Sequence, residues 1–356
     1  MAGSSLSVRG RGAGENPPNR FESLSYDWER DETNLEVPAP GTCFFKDSTR
    51  SILSCNESPD VGFEASLNPY RGCEHGCVYC YARPTHEYLG FSAGLDFETK
   101  ILVKEDAPGL LRKALSSPRW RPQVVAMSGV TDPYQPVERR LALTRRCLEV
   151  FLGFRNPVVI VTKSHLVTRD IDLLAGLARC QAAAVYLSVT TLDGRLSRIM
   201  EPRASRPARR LAAIEALARA GVPVGVLVAP VIPGLTDHEI PSIVAASARA
   251  GARFAGYVEL RLPYGVGGIF ERWLARHLPE AKEKVLNRVR AIRGGRLNDP
   301  RFGHRMRGSG VFAEQTAALF RVACRRAGVE GRCPALSTAA FRRPCGDQLS
   351  LFGRPA

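Results

Sequence analysis

The chain has 356 residues, 44% of them apolar, ample for one large domain with appendages or for two smaller ones. No apolar run approaches the ~20 residues of a membrane span and no h-region follows the basic start, which excludes a helical membrane protein and a secretory signal; the cytoplasm is the expected location. Fifty basic against 35 acidic residues leave a net charge of +15, which fits a polyanionic partner such as nucleic acid, or an Arg-rich composition that implies no partner.

Residues 1–20 are Gly-rich and basic and read as a disordered tail. Residues 21–62, rich in Pro, Asn, Ser and acids, read as an N-terminal wrapping segment. From residue 63 a rhythm sets in. Apolar, β-branched runs at 63–68, 123–129, 157–164, 183–191, 222–232 and 253–263 predict strands. Between them "APGLLRKALSS", "ERRLALTRRCLEVFLGF", "TRDIDLLAGLARC", "PARRLAAIEALARAG" and "DHEIPSIVAASARAG" carry helical spacing, with Gly221 and Gly251 where C-caps belong. One long helix, "GIFERWLARHLPEAKEKVLNRVRAI", follows the sixth strand. Residues 288–307 then hold seven arginines, read as a helix end and a flexible basic loop. Arginine forks suit phosphate, and such a loop suits a nucleic-acid backbone; a solvated basic face is the plainer alternative. The expected divisions are a core at 63–270, a helical and Arg-rich extension at 271–342 and a flexible tail at 343–356.

Continuous apolar strands alternating with helices predict an α/β fold with a parallel sheet, either doubly wound or a partial barrel. In both, chemistry collects at the C-terminal ends of the strands. The polar residues predicted there are Ser128, Thr131 and Asp132, then Lys163 and Ser164, Ser188, and finally Arg261. Each taken singly is also what an ordinary turn or cap would supply.

After the first strand stands "GCEHGCVYCYARP", residues 72–84, with Cys73, Cys77 and Cys80 in C-x3-C-x2-C spacing. A short loop of this kind can ligate three corners of one iron–sulfur cubane and leave the fourth iron open. Zinc is the alternative, with His75 completing a Cys3His set, although structural zinc usually draws on two separated ligand pairs. Cys324, Cys333 and Cys345, spaced by nine and twelve, match no compact motif and are candidates for a second cluster or, by default, unpaired thiols.

C-x3-C-x2-C with an aromatic residue, Tyr79, before the last cysteine resembles the radical S-adenosylmethionine (SAM) superfamily. With "NPYRGCEHGCVYCYAR", "TDPYQPVE", "TKSHLVTRDIDLL" and "MEPRASRPARR", the stretch from 63 to 265 resembles its spore photoproduct lyase-related branch. The resemblance implies a partial (β/α)6 TIM-type barrel with N- and C-terminal extensions. It implies a [4Fe–4S] cluster on Cys73, Cys77 and Cys80, with SAM on the fourth iron and a 5′-deoxyadenosyl radical as the product of its reductive cleavage. It places Ser128, Thr131 and Asp132 at the SAM amine, Lys163 at its carboxylate, Ser188 near the sugar or carboxylate, and Tyr79 beside the cofactor. A flavodoxin or ferredoxin would supply the electron. The lyase of this branch repairs a thymine lesion in DNA and needs a cysteine one residue after the serine of "MSGVTD"; here Gly129 stands there. No catalytic residue beyond the cofactor set is assigned. The function implied is a radical SAM enzyme acting on nucleic acid, DNA favoured. A peptide or small-molecule substrate, or a non-catalytic iron–sulfur or zinc module, are the alternatives.

The tail "CGDQLSLFGRPA" resembles the short peptide with which bacterial polymerases and repair proteins dock on the sliding clamp. Gln348, Leu349, Leu351 and Phe352 would be its anchors; docking of Leu351 and Phe352 back onto the barrel is the alternative.

Overall fold

Val, Ile and Ala dominate the runs at 158–162, 183–188 and 224–231, and such runs suit strands buried on both faces. The computed structural model describes residues 8, 10–22 and 41–344. The tail from Cys345 onward, with Gln348, Leu349, Leu351 and Phe352, lies outside them. In chain order the strands are β1 (Cys43–Lys46), β2 (Leu53–Cys55), β3 (Ala65–Leu67), β4 (Tyr70–Arg71), β5 (Lys100–Val103), β6 (Val125–Met127), β7 (Val158–Thr162), β8 (Ala183–Ser188), β9 (Val224–Val231) and β10 (Phe254–Glu259). The main sheet has the order β10-β9-β8-β7-β6-β3-β2. From β3 to β10 its strands are parallel and lie side by side in sequence order, and β2 borders β3 antiparallel. A doubly wound sheet would reverse its strand order part-way; this one never does. Its outer strands do not pair with each other, so the architecture is an open, partial TIM-type barrel.

Helices at Ala107–Ser116, Leu143–Phe154, Ile171–Ala178, Pro207–Arg219 and Ile240–Arg249 return the chain between strands. Each turns an apolar stripe onto the sheet: Leu111 and Leu115, Leu148 and Phe151, Leu174 and Leu177, Ile214 and Leu217, Ile243 and Val244 are all buried. Helix Val311–Ala327 covers the β10 edge, with Phe320 against Tyr257 and Glu330 bridging to Phe254. Among the described residues no helix is long and apolar enough to cross a membrane.

Four expectations are corrected. The helix predicted over 138–154 breaks at Ala142 (φ 51°), because the buried Glu138 carboxylate accepts from the Thr144 N–H and the Tyr70 hydroxyl. The long helix after the sixth strand is two, Val266–His277 and Pro279–Ile292. Pro279 cannot donate to the first helix, and its ring pushes Leu278 out of helical geometry (φ −146°, ψ 57°). The described part of the N-terminal tail is docked rather than disordered. Gly12 and Ala13 donate their N–H groups to the buried Glu98 carboxylate (3.0 and 2.8 Å), Asn16 pairs with Asp96, and Arg20 with Glu87. A buried carboxylate has to find donors, and this segment supplies them.

The basic loop expected to be flexible is also tied down. Arg293 donates to the carbonyls of Glu259, Leu260 and His304, and Asp60 accepts from the Gly303 N–H and from Arg305.

Candidate active site

The three cysteines follow directly on β4. A small sheet, β1-β5-β4, holds that strand, and the Cys73 N–H donates to Phe97 O (2.9 Å). Side chains then fix the loop from both flanks. Gly72 O accepts from Thr131 Oγ1 (2.6 Å) and Gln135 Nε2 (3.3 Å), while Gln135 Oε1 accepts from the Glu74 N–H (2.9 Å). Cys77 O accepts twice from the buried Arg83 guanidinium (3.0 and 2.9 Å), whose charge is met by Glu98. Loop shape is thus set by hydrogen bonds to its carbonyls and amides.

Cys73 and Cys77 are buried and Cys80 half-buried. Burial, helped by neighbouring negative charge, pushes the Cys73 and Cys77 thiols up, and burial raises Cys80 as well. Three thiolates are costly there unless bound metal supplies the compensating charge. His75 turns its Nδ1 to Asp132 Oδ2 at 3.3 Å. Among the described residues no three His, Cys, Asp or Glu side chains converge tightly enough for one ion. Three thiols on one short loop are the donor set that an iron–sulfur cluster with one open iron takes.

The other predicted residues divide into two groups. Thr131 and Asp132, predicted at the SAM amine, are engaged with the protein instead. Thr131 is spent on Gly72 O. Asp132 accepts from the Tyr134 N–H (2.8 Å), Thr162 Oγ1 (2.7 Å) and the Lys163 N–H (2.8 Å), besides facing His75. Burial pushes the Asp132 carboxyl up, but His75 and these donated bonds outweigh it and hold it below its ordinary range. Asp132 therefore joins the tips of β6 and β7 to the cysteine loop. Ser128 is half-buried with one long contact, Oγ to Thr131 O at 3.5 Å.

Lys163, Ser188 and Tyr79 do come together. Lys163 Nζ donates to Ser188 Oγ (2.6 Å) and Ala229 O (3.0 Å) and lies 5.8 Å from the Tyr79 ring centroid. Behind them stands a buried group the sequence reading did not assign. Glu201 accepts from Tyr79, Thr190 and Arg210, and its Oε1 is 3.8 Å from Lys163 Nζ. Burial would raise its carboxyl; Arg210 and then Lys163 overcome this and hold it at about 2. The signal was present in "MEPRASRPARR", where an arginine in the first turns of an amphipathic helix has a glutamate nine residues before it.

Facing solvent beside Cys80 is an aromatic and cationic collar. Tyr81, 46% exposed, donates to Gly129 O (2.6 Å) and carries the Arg261 guanidinium over its ring at 4.8 Å. Phe302, 58% exposed, lies under Arg305 at 4.5 Å. Arg261 also reaches Met306 Sδ in the same loop as Phe302 and Arg305.

Residues 67–246 match the Radical SAM superfamily. The chain belongs to that superfamily. This radical SAM enzyme accordingly uses a [4Fe–4S] cluster and S-adenosylmethionine. It is 39% identical over 245 residues to an uncharacterized protein of Mycobacterium tuberculosis H37Rv, spanning 67% of this chain and 72% of that one. It is 25% identical over 172 residues to the radical SAM Nα-GlyT isomerase of Pseudomonas phage M6, spanning 48% of this chain and 34% of the phage protein. Its fold resembles that of a spore photoproduct lyase variant solved with bound AdoMet and dinucleoside spore photoproduct: TM-score 0.59, 17% identity, 81% of this chain and 80% of the other.

Proposed function

We propose that this radical SAM enzyme acts on a base within nucleic acid, DNA favoured, with Cys73, Cys77 and Cys80 holding its cluster. The observation that carries the substrate class is the collar beside Cys80, where two exposed aromatic faces each carry an arginine. Aromatic faces stack on bases, and an arginine such as Arg261 beside them can meet a phosphate, while Asp60 holds Arg305 in place over Phe302. The chain's charge of +15 agrees. So does a protein of similar fold, the spore photoproduct lyase variant that holds a dinucleoside spore photoproduct.

When bound, the cluster supplies the electron that cleaves SAM and yields the hydrogen-abstracting radical. The chain's own residues do the rest. Lys163 has three ammonium protons, two already directed at Ser188 and Ala229, and the third is left for the SAM carboxylate. Asp132 positions the Lys163 backbone and the cysteine loop relative to each other. Gly129 stands where the lyase has its hydrogen-donating cysteine, so the closing hydrogen transfer differs from the lyase's.

The experiment is anaerobic reconstitution followed by a search for deuterium in 5′-deoxyadenosine from labelled DNA, RNA and lysate fractions. Transfer from DNA, with binding that weakens as salt rises and whose salt slope falls by about one for Arg261→Ala, is the expected result. Transfer from a peptide or metabolite fraction alone would refute the substrate class. Full iron retention by the Cys73/Cys77/Cys80 triple Ala variant would refute the cluster assignment.

A further inference from the structure

Beyond the collar four flat groups stand in a row: Tyr264, Arg20, Phe21 and Tyr88. The Arg20 guanidinium lies 3.6 Å from the Tyr264 ring centroid and 4.9 Å from that of Phe21, and the Phe21 ring stacks on Tyr88 at 4.9 Å. Tyr88 is 72% exposed, Tyr264 67% and Phe21 55%. Rings left this open gain little from the protein's own packing, and exposed apolar groups gathered in one patch mark a contact surface. Tyr264 also holds a left-handed backbone (φ 50°), a conformation that disfavours a bulky side chain.

Polar contacts beneath the rings fix the row. Asn19 Nδ2 donates to Glu87 O (2.9 Å) and Phe91 O (2.8 Å), and Asn19 Oδ1 accepts from the Phe21 N–H (2.7 Å). Glu87 then takes the charge of Arg20 at 2.6 Å, so the row presents flat faces rather than net positive charge. Two stretches of chain join it to the collar. Tyr264 follows Arg261 by three residues, about 11 Å of backbone at most. Tyr88 follows Tyr81 by seven, mostly within the 3-10 helix Arg83–Leu89, a rise of about 14 Å. Arg261 covers Tyr81 at the collar end, while Arg20 and Phe21 link Tyr264 to Tyr88 at the other. Both stretches bridge the same gap, which is about three or four nucleotides of a stacked strand.

We infer that Tyr264, Phe21 and Tyr88 form a stacking platform for bases a few nucleotides away from the one at the collar, and that the enzyme takes its DNA as an unpaired strand. The inference rests on the proposed nucleic-acid reading of the collar. A duplex keeps its base faces inside its own stack, and only an unpaired strand can lay bases on both surfaces. Stacking accepts any base, so the platform adds affinity without sequence preference. With Arg20 committed to Glu87, it adds nothing to the salt dependence.

The test uses the full-length reconstituted enzyme and three labelled probes: a thymidine dinucleotide, a single-stranded thymidine decamer and a duplex decamer. Binding is read by fluorescence anisotropy over a range of salt. Wild type should bind the single strand more tightly than either the duplex or the dinucleotide, which is too short to span from collar to platform. Tyr88→Ala/Tyr264→Ala should weaken single-strand binding about five- to a hundredfold, with the salt slope and the dinucleotide affinity unchanged. Tyr88→Phe/Tyr264→Phe keeps both rings and should keep the affinity, which separates lost stacking from a disturbed fold. Equal single-strand affinity in wild type and the double Ala variant would overturn the platform, as would a duplex bound by wild type as tightly as the single strand. If Arg261→Ala still lowers the salt slope in that case, the collar reading stands without the platform. A wild type that binds neither strand nor duplex would overturn both.

Discussion

Glu201 is the residue on which the buried half of the site depends, and Glu201→Gln tests it. The carboxylate meets the Arg210 guanidinium, whose side chain is buried and which otherwise donates only to the carbonyls of Ser188 and Ser205. The amide keeps the shape and removes the charge, which leaves Arg210 buried without its counter-ion. Breaking a buried pair from one side costs about 3–5 kcal/mol. The pH dependence gives a second route to the magnitude. Glu201 is held at about 2 against an ordinary 4.5, a difference of about 2.5 pH units, or about 3 kcal/mol. Because the folded value is depressed, this stability is present above pH 4.5 and is lost as pH falls from 4.5 towards 2. Urea denaturation at pH 7 should therefore show Glu201→Gln about 3 kcal/mol less stable than wild type, with the gap closing below pH 4. Glu201→Gln/Arg210→Met should recover part of the loss, since neither charge is then stranded. Equal stability of Glu201→Gln and wild type at pH 7, or a double variant as unstable as the sum of the single ones, would refute the reasoning.

Two further outcomes follow from neighbouring groups. Lys163→Ala removes a charge-assisted donor and should weaken SAM binding by roughly 1.5–3 kcal/mol, about ten- to a hundredfold, while iron content measured on the reconstituted protein stays at the wild-type level. Glu259, at the end of β10, is buried, and burial raises it to about 8. A raised folded value means the neutral form is the folded one, so stability from this group falls as pH rises from 4.5 to 8; Glu259→Gln should flatten that slope and melt higher than wild type at pH 8.

The barrel was legible because its strands are buried on both faces and so read as uninterrupted Val, Ile and Ala. The cysteine loop was legible because thiol spacing is local. What escaped is what long-range contacts decide. Nothing local to "RGRGAGE" announces that the N–H groups of Gly12 and Ala13 would be claimed by Glu98, 85 residues and more away. Thr131 and Asp132 stand at the strand ends, and what the sequence does not reveal is their bonds to Gly72, Thr162, Lys163 and Tyr134. Whether a rim carboxylate faces inward or outward depends on which donors its neighbours supply, and here Thr162, Lys163 and Tyr134 supply them to Asp132. Glu201 and Arg210 were quoted in a motif without a role, because a pair that is fully buried shows no periodic signal of its own.

Gly129 shows how far this chain has moved from the lyase-related pattern. Its φ of +131° lies where side-chain-bearing residues are strained, by about 1–3 kcal/mol. Space is not the obstacle, since a Cβ there would have only Asn68 Nδ2 within 4 Å, at 3.9 Å. The conformation is. It is held from one side by the Tyr81 hydroxyl on Gly129 O and from the other by the Asn68 carboxamide on the Val130 N–H. A cysteine at 129 would thus have to turn the backbone and disturb the Tyr81 contact that forms half of the collar. The rim's backbone therefore disfavours a thiol at position 129.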